Sequence, residues 1–111
     1  MASDIKESDW KIFKDIRGTA LERFSERILS EVHQAAEDGT KSSHEKYLAI
    51  YTLIHKRDRE IANAFNDFRR STAFMQFGLI YSYGLVKEEE WNKFSPEFQE
   101  GIRALYKRKA G

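Results

Sequence analysis

From Trp10 to Ala36 the apolar residues Trp10, Phe13, Ile16, Ala20, Phe24, Ile28, Val32 and Ala35 recur at steps of three and four. Only an α-helix gathers such positions onto one face; a strand, alternating at two, would scatter them over both sides. The first third of the chain is thereby committed to one long amphipathic helix, which must bury its stripe against another element. Ser8 is placed to cap it, and Asp9 sits where the helix dipole favours an anion. Gly39 is placed to close the last turn in the left-handed conformation, so helix one is expected over 8–38.

A second long helix follows almost at once. Ser42-Ser43-His44-Glu45 is a capping box, in which the hydroxyl serves the amide three residues on and the glutamate reaches back. Tyr47, Tyr51, Ile54, Asp58, Ile61, Phe65 and Phe68 then follow with the alternating steps of a heptad seam, one member of which is charged. Ser71-Thr72 offers a fresh cap, so helix two is expected over 42–70. Helix three, over 72–83, is apolar on most faces, which predicts burial. Gly84 ends it, and Leu85 and Val86 can fold back on its last turn. A short helix over 87–94 opens with three glutamates. Ser95-Pro96-Glu97 then starts a last helix over 96–108, with serine as cap and proline in the first turn.

Residues 1–111 are therefore expected to form a single all-α domain: a long antiparallel helical hairpin with three shorter helices packed on it, bundle-like. If the two long helices meet at Gly39-Thr40, Phe13 falls level with Asp67 and Phe68, Ile28 with Thr52, and Gly18 with Ala62. A glycine inside a helix costs about 1 kcal/mol, and opposite an alanine it would allow close approach of the backbones. Asp58 falls level with Glu22 and Arg23, which predicts a buried Asp58–Arg23 pair. Each long helix spans on the order of 40 Å, more than three short helices can cover. Uncovered apolar surface on soluble proteins marks interfaces, and a symmetric homodimer is its commonest use.

Composition narrows the function classes. The 111 residues include no cysteine and one proline. A secreted disulfide scaffold and a zinc ribbon both need cysteines, and collagen-like chains need far more glycine and proline. The polar, acidic start lacks the apolar run of a signal peptide, so a cytoplasmic protein is expected. The most apolar stretch, Ala73 to Val86, is too short to span a bilayer, and no membrane partner is expected. Net charge is +1, too small to steer the protein towards nucleic acid. Residues 1–40 carry 6 basic and 9 acidic groups, a net −3, whereas residues 41–70 carry 7 and 4, a net +3. Two helices packed side by side favour that opposition.

No catalytic constellation is visible. His44 and His55 lie roughly 16 Å apart along one helix, too far to share a metal, and His33 is a further eleven residues away in sequence. Glu22 and Glu26 alternate with Arg23 and Arg27, as on a solvated, salt-bridged face. The phosphate loop, the dinucleotide fingerprint and the nucleophile elbow are all missing, so neither an enzyme, a cofactor nor a metal site is expected. The corner Arg69-Arg70-Ser71-Thr72 joins two arginine forks to hydroxyls and free helix amides, the elements of an anion or partner site. The same residues can instead cap helix ends, the arginines serving helix two and Ser71 or Thr72 serving helix three.

Nucleic acid is the rival partner. Helix three, Gly84 and the next helix have helix-turn-helix spacing, but the reading helix would present three glutamates to phosphates. Lys56, Arg57, Arg59, Arg69 and Arg70 offer a basic second helix instead, diluted by Asp58, Glu60 and Asp67. The expected function is a non-catalytic protein-protein interaction or adaptor module, with a protein partner docked on an apolar helix face near Trp10 and Tyr47. The alternative is a nucleic-acid-binding regulator using that basic helix.

Overall fold

Phe13, Ile16, Ala20, Phe24 and Ile28 are all buried along one face of the first helix, with Val32 packed against the same core. The three-four stripe thus acts as the spine of the fold. The computed structural model describes residues 5–106. Its helices are α1 (Glu7–Ala36), α2 (Ser43–Phe65), α3 (Ala73–Ser82), α4 (Glu88–Trp91) and α5 (Pro96–Leu105), with a 3-10 turn at Arg70–Thr72 and no strand among the described residues. The last residues of the expected fifth helix, 107 and 108, lie outside the described part. The protein is an all-α bundle in which α1 and α2 form an elongated hairpin, with overall dimensions of 52 × 25 × 23 Å.

Helix α3 plugs the open end of the hairpin. Its Phe77 is fully buried and meets Phe13 at 5.3 Å, Phe94 at 4.7 Å and Phe98 at 5.1 Å between ring centres. One ring thereby ties α1, α3, the end of α4 and α5 together, each edge-on or tilted contact adding about 0.5–1.5 kcal/mol to simple burial. Two glycines let α3 and α5 approach: the Gly78 backbone lies against the Tyr106 ring, and the Gly101 backbone against the Phe74 ring. Gly84 takes φ 74°, and the Leu85 amide donates to the Ile80 carbonyl at 3.3 Å, so the chain folds back and buries Leu85 and Val86. Phe13 does meet Phe68 across the hairpin, at 5.2 Å.

Several local expectations are corrected. The N-cap of α1 is Lys6 without a side-chain bond, not Ser8. Gly39 does not take positive φ; the bend is instead held by Asp38, which accepts from the Thr40 amide at 3.0 Å and hydroxyl at 2.6 Å. A Cβ added to Gly18 would meet nothing within 4 Å, so Gly18 is no contact point between backbones. Helix α2 stops at Phe65, short of Arg70, because Asn66 is extended and Asp67 turns left-handed with φ 58°. The carbonyls this frees are served from other helices: Arg17 of α1 donates to Phe65 and buried Gln76 of α3 donates to Asn66.

Candidate interaction surface

From Tyr47 to Asp58 the aromatic seam is not the face of α2 that meets α1, whereas its later members Ile61, Phe65 and Phe68 do reach the core. Lys46, Ala49, Ile50, Leu53, Arg57, Glu60 and Ile61 are half-buried and Ala64 is buried, a stripe one residue out of register with the seam. The smaller apolar residues of this stripe permit close helix approach, and its one arginine finds carboxylates on both helices. Arg57 grips Glu31 of α1 with two bonds, 2.9 and 2.8 Å, and Glu60 at 2.8 Å. The Arg57 hydrogen bonds hold the Glu31 carboxyl below the usual range.

Asp58 is consequently exposed, with no ion pair among the described residues, and the expected Asp58–Arg23 pair does not form. Asp58 lies one position away from the inward face, about 100° around the helix. Arg23 turns instead to Glu90 of α4, with two bonds of 2.7 and 2.8 Å, and donates to the Leu85 carbonyl at 2.8 Å. Those bonds hold Glu90 below the usual carboxylate range. One turn on, Arg27 donates to the Tyr83 carbonyl at 2.7 Å. Arg27 thus satisfies the C-cap carbonyl of α3, where cations are favoured, and Arg23 a carbonyl of the turn that follows it. Burial, with Glu60 nearby, raises the Tyr83 phenol above its ordinary value.

The seam that α1 does not cover faces solvent. Tyr47 is 61% and Tyr51 59% exposed, with Leu48 and Ile54 also exposed, while Leu29 on α1 is 67% exposed at about the same distance from the bend. His44 stacks on Tyr47 at 6.0 Å and Tyr51 on His55 at 5.8 Å, which steadies both tyrosines on the helix surface. Tyr51, Thr52, His55, Lys56 and Arg59 line a shallow hollow of about 370 Å³ beside them. Trp10, by contrast, is no free aromatic: it is half-buried, stacked on Phe68 at 4.9 Å, with Lys14 and Arg70 over its ring. The charged Asp58 within an apolar seam is the sequence signal that this seam meets water.

The Arg69–Thr72 corner is knitted to its own chain. Arg69 pairs with Asp67 at 2.7 Å, and Arg70 pairs with Glu7 and donates to the Ile5 carbonyl at 2.7 Å. The Arg70 bond holds the Glu7 carboxyl below its usual range. Thr72 donates to the carbonyls of Asp67 and Arg69, and its oxygen accepts from the Arg69 amide. Neither arginine serves the end of α2, and Thr72, the N-cap of α3, makes no side-chain cap bond there. Ser71 stays exposed.

A second polar feature was invisible in the sequence. Asp9, 2% exposed, accepts from the Ser95 amide at 2.9 Å and hydroxyl at 2.7 Å, while the Ser95 oxygen accepts from the Phe98 amide. It borders a hollow of about 270 Å³ lined also by Ile5, Lys6, Phe74 and Glu97. The Ser95 hydroxyl is engaged on both sides, so the pair acts as a cap and tie between α1 and α5. Among the described residues no three metal-ligating side chains cluster, and no helix is long and apolar enough to cross a membrane. Comparison of the chain with protein-family models, curated proteins and solved structures finds no match.

Proposed function

We propose that the protein is a non-catalytic interaction or adaptor module that presents the outer face of α2 to a protein partner, with a second copy of the chain as the first candidate. The observation that carries this reading is the run Tyr47, Leu48, Tyr51, Ile54, exposed together on one helix whose adjoining face is used up on α1. Tyrosines with few rotatable bonds and both apolar and polar contact atoms are favoured anchors at protein interfaces. The nucleic-acid alternative has less support. Of the basic residues of the second helix and its end, Arg57, Arg69 and Arg70 are spent on carboxylates, and Lys56 and Arg59 remain beside the seam.

A photo-crosslinking residue placed at Tyr51 tests the reading in the living cell. It is expected to capture protein in a discrete adduct, whereas the same residue at Lys11, exposed on α1, is not. Equal labelling at both positions, or none at Tyr51, sinks the proposal. Retention on DNA that falls steeply with salt would favour the rival instead.

A further inference from the structure

The outer face of α2 is complementary to itself. His44, Tyr47, Tyr51, Ile54 and Asp58, all exposed, follow the alternating spacing with which one helix seats its side chains on another. Let a second copy run antiparallel, with the two-fold axis crossing between Thr52 and Leu53. Tyr51 then faces Ile54 of the second copy and Tyr47 faces its Asp58, each pair occurring twice by symmetry. On the outer flank Leu48 falls near His55 of the second copy, and Glu45 near its Arg59. Arg59 and Asp58 are exposed and make no ion pair among the described residues of one copy.

We infer that the occupant of the α2 face is a second copy of this chain, seated antiparallel in this register. The inference rests on the α2 face being the docking surface. It gives Asp58, the charged member of the face, a partner when the face is covered. A carboxylate in the middle of an apolar seam is costly to bury without a donor, and this register supplies one in the Tyr47 hydroxyl of the second copy. A parallel pairing would set Asp58 against Asp58, like charge on like. Sliding the antiparallel pair one heptad towards the bend would remove Asp58 from the seam and shorten the overlap. The chosen register keeps about 17 Å of the exposed seam in contact, from Tyr47 to Asp58. It also joins an acidic group near the start of the helix to a basic group near its end, and sets the two helix dipoles head to tail.

Sedimentation across a dilution series is the test, with helicity checked by circular dichroism. The wild type is expected to sediment at twice the 13.1 kDa chain mass. Tyr51→Glu, at a solvent-exposed position that leaves the fold intact, is expected to weaken association about a hundredfold or more, because it buries two unpaired charges per dimer. The chain has no cysteine, so introduced ones report the register. Tyr51→Cys mixed with Ile54→Cys is expected to yield a disulfide-linked heterodimer faster than either variant links to itself. A wild type that stays monomeric overturns self-pairing but leaves the α2 face open to another protein. A dimer indifferent to Tyr51→Glu overturns self-pairing through this face, and faster self-linking of Tyr51→Cys overturns the register.

Discussion

Replacing Asp9 by alanine removes a buried carboxylate that ties the first helix to the last. Two hydrogen bonds go with it, from the Ser95 amide and from the Ser95 hydroxyl, at 2.9 and 2.7 Å. A hydrogen bond to a charged acceptor is worth about 1.5–3 kcal/mol. Ser95 is half-buried beside a hollow, so water can partly replace the lost acceptor and the lower end applies to both bonds. The expected destabilisation is about 3 kcal/mol, a fall in melting temperature of roughly 12–20 °C for a domain of this size. Ser95→Ala keeps the amide bond but loses the hydroxyl bond and the cap on Phe98, for about 2 kcal/mol. The two losses share one hydrogen bond, so the double variant should fall short of their sum by about 1–1.5 kcal/mol. Urea unfolding followed by helical circular dichroism measures all three. An Asp9→Ala change below about 0.5 kcal/mol, or strict additivity, would refute the tie.

Gly18→Ala should stabilise the protein by about 0.5–1 kcal/mol, since the position is exposed within α1 and an added Cβ meets nothing within 4 Å; a loss of stability in the same unfolding assay would restore the idea of close helix approach there. Stability should also decline in acid. Glu90 and Glu31 have folded pKa values held below their ordinary ones by arginine hydrogen bonds. Their contribution is therefore full above the ordinary glutamate pKa and is lost as pH falls through the depressed folded values. The urea midpoint should drop as pH falls below the ordinary glutamate value of 4.5, and Glu90→Gln should flatten that slope; an unchanged slope would remove Glu90 from the account.

The helix starts and stops were largely legible because capping is local. Ser42 and Glu45 form the reciprocal box, Ser95 accepts from Phe98 above Pro96, and Gly84 turns left-handed where helix three had to end. The core face of α1 was legible too, since one dominant stripe leaves no choice. Helix α2 carries two stripes, and periodicity does not rank them. The heavier aromatic stripe, Tyr47 to Asp58, looked like the interior, but the lighter one with Ala49, Ile50, Leu53 and Arg57 is what packs on α1. The candidate surface was thus legible at Tyr47, whereas Trp10 and the inward placing of Asp58 were misread.

The sequence by itself determined that the chain is a helical hairpin with short helices upon it, because backbone hydrogen bonding, caps and apolar period all act within a few residues. The partners of its charges were decided only by the tertiary structure. Arg23 could have met Asp58 but meets Glu90, Arg57 meets Glu31, and Asp9 meets Ser95, pairs separated by 67, 26 and 86 positions. A charge attracts any opposite charge within reach. Which one comes within reach depends on the rotation of each helix about its axis, and only the packed core sets that rotation.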